Sequence, residues 1–85
     1  MTEFTYTVKD RLGIHARPAG QLVKLSGKFS SDIKISKGDK HGDAKRIFSV
    51  MSLGVKYDEE IKFTITGSDE EIAKKELVEF LENNL

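Results

Sequence analysis

Apolar and polar positions alternate from the start of the chain: Phe4, Tyr6 and Val8 are interleaved with Thr5, Thr7 and Lys9, which predicts a half-buried strand. Asp10 to Ile14, with Gly13, reads as the loop that follows. From Arg17 to Lys28 the period lengthens: Ala19, Leu22, Val23 and Ser26 recur at helical spacing, and Pro18 falls in the first turn, where its missing N–H costs nothing. Ile33 and Ile35 alternate with Asp32, Lys34 and Ser36, and Gly38-Asp39 is a hairpin signal leading to a return strand over Lys40–Asp43. Ile47, Phe48, Val50, Met51 and Leu53 suit a helix of about two turns with Gly54 at its C-terminal cap. Ile61, Phe63 and Ile65 alternate with Lys62, Thr64 and Thr66 in the clearest strand, which Gly67 closes. Ser68 and Glu71 predict a capping box, and Asp69 and Glu70 put negative charge in the first turn. The last helix then runs nearly to Leu85, with Ala73, Leu77, Phe80 and Leu81 facing inward.

The resulting order, βαββαβα, predicts an α+β fold. It is an open-faced β-sandwich, in which three helices cover one face of a four-stranded antiparallel sheet and the other face carries the polar alternates. Splitting 85 residues would leave pieces too short to bury a core, so residues 1–85 are expected to form one domain. Fourteen Lys+Arg against fourteen Asp+Glu leave no net charge, which removes the global field that draws a basic protein to nucleic acid or anionic lipid. No cysteine supplies a disulfide or thiolate site, and no stretch has the pattern of a signal peptide or a membrane span. A cytoplasmic monomer that binds no nucleic acid and does not insert into membranes is the expectation.

The chemistry gathers at Gly13-Ile14-His15-Ala16-Arg17-Pro18-Ala19-Gly20, where the first loop becomes the first helix. A helix N-terminus offers unpaired N–H groups and a partial positive charge to an anion. His15 supplies a nucleophile that can attack phosphorus, the N–H groups of Ala16 and Arg17 face the place a phosphate would take, and the Arg17 guanidinium adds charge-assisted hydrogen bonds. Neither a general acid nor a metal site accompanies them. Three functions fit these residues: a carrier that holds a phosphoryl group and hands it on, a histidine phosphatase or mutase, and a module that only binds an anion. The second requires several cations and a proton donor in a concave pocket, which a short chain with Arg17 as the one nearby arginine hardly provides.

"GIHARPAG" closely resembles the active-site signature of the HPr family, the histidine-containing phosphocarriers of the bacterial phosphoenolpyruvate-dependent sugar phosphotransferase system. "RIFSVMSLGV", Arg46 to Val55, resembles that family's second characteristic segment, and length and element order are similar throughout. The resemblance implies that His15 accepts a phosphoryl group on Nδ1 from phosphorylated Enzyme I and passes it to IIA domains of sugar permeases, with Arg17 assisting. It implies no cofactor and no metal, and a protein that is a stoichiometric substrate of its partners rather than an enzyme. An HPr-like module acting only by contact with regulatory proteins is the alternative.

Five apolar residues in the short second helix exceed what one buried stripe can hide, and core packing accounts for about three of them. The resemblance makes that helix and the first a docking patch beside the histidine. Gly20, Ile47, Phe48 and Met51 are its contact candidates, and Gln21, Lys24, Lys45, Ser49 and Ser52 stand at the rim. Lys24, Lys45 and Arg46 would add positive charge for acidic partners. One position departs from the pattern: where relatives in low-GC Gram-positive bacteria carry a serine phosphorylated by a dedicated kinase, this chain has Arg46. His41 reads as an exposed strand residue, and Glu76, Glu79 and Glu82 as the solvated face of the last helix.

Overall fold

The computed structural model describes residues 1–85. Its elements are β1 (Thr2–Thr7), α1 (Ala16–Ser26), β2 (Asp32–Lys37), β3 (Lys40–Asp43), α2 (Ile47–Met51), β4 (Glu60–Thr66) and α3 (Glu70–Asn84), in the order the periodicities predict. The strands form one antiparallel sheet in the order β1-β4-β2-β3, so the first strand pairs with the last and the hairpin strand β3 is an edge. Gly38 and Asp39 make the two-residue turn, which pairs Lys37 with Lys40, and Gly38 takes the left-handed φ of 57° that such a turn requires.

Alternation decides which face is buried. Ile33 and Ile35 of β2 and Ile61, Phe63 and Ile65 of β4 face the helices, where they pack with Leu22 of α1, Val50 of α2, and Ala73, Leu77 and Leu81 of α3. Phe4 lies opposite Phe63 across the β1–β4 ladder, with the rings stacked at 5.0 Å. The register puts Thr5, Lys62, Ser36 and His41 in one row across all four strands of the open face, and Glu3, Thr64, Lys34 and Asp43 in the next. The result is a four-stranded open sheet with three helices on one side. No helix is long and apolar enough to cross a membrane.

Two helix ends differ from the sequence-based expectation. The capping box of Ser68 and Glu71 does not form: α3 begins at Glu70, its N-cap is Asp69, and no side chain caps it. Asp69 is engaged elsewhere, accepting the Ser30 N–H at 2.8 Å, the Ser31 N–H at 3.0 Å and the Ser31 hydroxyl. These donors, the Ser31 hydroxyl first, hold its carboxyl at about 2. Glu70 instead closes the turn by accepting the Gly67 N–H at 3.0 Å, and it pairs with the N-terminal ammonium at 3.0 Å. A tertiary tie between the loop after α1 and the start of α3 has therefore displaced a local cap. The second difference is in α2, which is only five residues long and has Ser52, not Gly54, at its C-cap. Gly54 lies two residues further on, with φ of 61°, and its N–H donates to Met51 at 3.1 Å.

Candidate functional site

His15 is the N-cap of α1, in extended conformation, and uses no side-chain atom to cap the helix. Its ring is thus left for other work. The first intrahelical bond runs from the Ala19 N–H to the His15 carbonyl at 3.0 Å, so the N–H groups of Ala16 and Arg17 have no helical acceptor, and Pro18 has no N–H to offer. Both orphan donors therefore belong to the residues next to the imidazole. The ring is 37% exposed, Arg17 is exposed, and His15, Arg17, Pro18 and Gln21 line one shallow cleft together with Asp10 and Asn84.

The loop before His15 is braced from three sides. Val8 donates to Glu59 at 3.0 Å, Asp10 donates to the Leu85 main-chain oxygen at 2.9 Å, and Ile14 donates to Val55 at 3.0 Å. Gly13 turns the chain with φ of 68°, donating to the Asp10 carbonyl at 2.9 Å. The Asp10 carboxylate accepts the Leu12 N–H at 2.9 Å through Oδ1, while its Oδ2 approaches His15 Nε2 to 3.5 Å. In the sequence Asp10 reads as a residue of this loop, with no sign that it reaches the ring. Its Asp-x-x-Gly spacing signals a turn, and nothing local says where the carboxylate points. Asn84, far away in sequence, comes beside His15 only through the docking of α3.

On α2, which packs against α1, Phe48 is 86% exposed, with Ile47 and Met51 also exposed, while Val50 and Leu53 are buried. Two of the five apolar residues of this segment serve the core, not three. Gly20 faces Ile47 of α2: a Cβ there would lie 3.8 Å from Ile47 Cδ1, an ordinary van der Waals contact. Gln21 and Lys24 follow Arg17 along the exposed side of α1. The remaining rim candidates are tied into the structure. Lys45, half-buried, donates to the Phe29 carbonyl at 2.7 Å, beyond the end of α1 remote from His15. Ser49 Oγ accepts the Asp43 N–H at 2.7 Å, and Ser52 Oγ donates to the Ser49 carbonyl at 2.9 Å. Arg46, the N-cap of α2, is exposed and lies 3.8 Å from Asp43, and His41 is exposed on β3.

Residues 2–83 match the family model described as PTS HPr component phosphorylation site. The chain belongs to the HPr family. It is 38% identical over 85 residues to the phosphocarrier protein HPr of Mycoplasma genitalium, covering 99% of this chain and 97% of that one. Against the HPr of Mycoplasma capricolum it is 41% identical over 69 residues, covering 81% and 78% of the two chains. Among solved structures, a mycoplasma histidine-containing phosphocarrier protein superposes with a TM-score of 0.94 at 34% identity, covering 96% of this chain and 93% of that one. HPr-C-His from Thermoanaerobacter tengcongensis does so at 0.93 and 43% identity, covering 98% and 93%. As an HPr, the chain is a phosphocarrier of the sugar phosphotransferase system, and its structure has the family's open sheet.

Proposed function

We propose that His15 is the phosphoryl acceptor, taking the group from phosphorylated Enzyme I and passing it to IIA domains of sugar permeases. The observation that carries this reading is the partly exposed imidazole at the start of α1, beside two N–H groups without helical acceptors and in one cleft with the Arg17 guanidinium. A phosphoryl group on the ring would bring negative charge to that helix end, where the N–H groups and Arg17 stabilise it. The site is open and shallow, which suits exchange with a partner's own phosphoryl-bearing residue better than enclosure of a small molecule. With no turnover of its own, the protein acts as a covalent substrate of its partners, and the transfer needs no cofactor.

Phe48, with Ile47, Met51 and Gly20, supplies an apolar contact for those partners, and Gln21 and Lys24 extend it with polar and positive groups. Ser49 and Ser52 contribute at its margin, whereas Lys45, bonded to Phe29 beyond the far end of α1, stands apart from it. The test is incubation with Enzyme I and labelled phosphoenolpyruvate. Acid-labile label that is absent from His15→Ala is the expected result. A folded protein that takes no label would instead favour a module acting through protein contact alone.

A further inference from the structure

We infer that Asp10 is a positioning residue for His15, its carboxylate keeping the ring proton on Nε2 so that Nδ1 presents the lone pair. This inference rests on the reading of His15 as phosphoryl acceptor. The carboxylate is itself held: Oδ1 accepts the Leu12 N–H at 2.9 Å, the Asp10 N–H donates to Leu85 at 2.9 Å, and the Asp10 carbonyl accepts the Gly13 N–H at 2.9 Å. With those bonds made, Oδ2 stands 3.5 Å from His15 Nε2. An ionised carboxylate only accepts hydrogen bonds, so the nitrogen opposite it is favoured as the donor, and in a neutral imidazole the other nitrogen must then hold the lone pair. Arg17, Pro18, Gln21 and Asn84 line the rest of the cleft, and the Leu85 main-chain oxygen behind Asp10 is engaged by the Asp10 N–H.

In the transfer, the Nδ1 lone pair forms a bond to phosphorus, while the bond from phosphorus to the donor's leaving atom breaks and its electron pair stays with the donor. The Nε2 proton is retained, and the positive charge that develops on the ring faces the Asp10 carboxylate. In onward transfer the N–P bond breaks and its pair returns to Nδ1. No proton has to move in either direction. The carboxylate thus orients the ring and offsets its charge without touching the phosphoryl group, an arrangement analogous to the acid that orients the histidine of a hydrolytic triad.

Long-range 1H–15N correlation spectra of the unphosphorylated protein, recorded where the ring is neutral, report which nitrogen carries the proton. The Nε2–H form is expected to dominate in the wild type. Asp10→Asn keeps an oxygen for the Leu12 N–H and turns an amide donor toward the ring. It should shift the tautomer ratio toward Nδ1–H and slow labelling by Enzyme I roughly tenfold. Asp10→Ser keeps a hydroxyl for the turn and removes the carboxylate, and it should shift the ratio the same way by less. A dominant Nδ1–H form in the wild type, or an unchanged ratio in both folded variants, overturns the inference. A shifted ratio in a chain whose wild type takes no label would uphold the orienting contact and sink the phosphocarrier reading of His15.

Discussion

The carbonyl oxygen of Val55 occupies the space where a side chain on Gly13 would begin: a Cβ there would stand 2.2 Å from it and 2.8 Å from Lys56 Cα. Both obstacles are backbone, and Gly13 also has φ of 68°, so Gly13→Ala meets steric and conformational cost together. The variant should lose roughly 2–3 kcal/mol of stability in urea titration, beyond the 1 kcal/mol typical of a simple glycine replacement. Because Ile14 and His15 follow directly, labelling by Enzyme I should fall even at temperatures where the fold persists. Native stability and native labelling together would show that the loop can move aside.

Acid should loosen the tie between α1 and α3. The Asp69 carboxyl, held by the Ser31 hydroxyl and the Ser30 and Ser31 N–H groups, titrates at about 2 in the fold against an ordinary 3.8. The unfolded chain therefore binds the proton more readily, and the stabilisation is present above about 4 and lost as pH falls toward 2. Glu70, beside the N-terminal ammonium, and Glu59, bonded to Lys37, are lowered as well and add to the same trend. Asp69→Asn should lower the melting temperature at pH 7, and its deficit against wild type should shrink near pH 2. A deficit independent of pH would deny the carboxylate its charged role.

Removing the Arg17 guanidinium should affect transfer and not folding. The side chain is exposed, so Arg17→Ala is expected to keep its melting temperature within a degree or two while slowing labelling about a hundredfold, the scale of one lost anion-stabilising group. Circular dichroism and single-turnover labelling separate the two effects. A variant that unfolds would mean that Arg17 supports the helix start instead.

Phe48 offers the complementary case on the docking surface. Being 86% exposed, it contributes little to the core, so Phe48→Ala should change stability by less than about 0.5 kcal/mol. The same change should weaken association with Enzyme I about tenfold, as loss of an apolar anchor does. Unaltered binding in calorimetry would move the contact surface away from α2.

Treatment with ATP and HPr kinase should leave the chain without phosphoserine. Arg46 has no phosphorylatable hydroxyl, Ser49 Oγ is occupied by the Asp43 N–H at 2.7 Å, and Ser52 Oγ donates to the Ser49 carbonyl at 2.9 Å. Stoichiometric phosphoserine in mass spectra would require these bonds to open.

Periodicity made most of the fold legible, because the strand residues Ile33, Ile35, Ile61, Phe63 and Ile65 and the helix residues Leu22, Leu77 and Leu81 are buried as their spacing implies. The errors fall where a distant segment competes with a local preference. Ser68 and Glu71 have the spacing of a capping box, but Asp69 is drawn to Ser30 and Ser31, 38–39 residues away. In the candidate site, His15 and Arg17 are neighbours on one helix start and can be read together, whereas Asp10 and Asn84 join them only through the closure of the loop and the docking of α3.

The eight residues of the motif are contiguous, yet the bonds that shape their surroundings come from the second half of the chain: Val55 holds Ile14, Leu85 holds Asp10, and the β1 strand leading to them pairs with β4 and is bonded by Tyr6 to Leu81. Such long-range closures form late in folding. A chain that lacks α3 therefore carries the sequence of the site without the bonds that Leu81 and Leu85 supply to its surroundings.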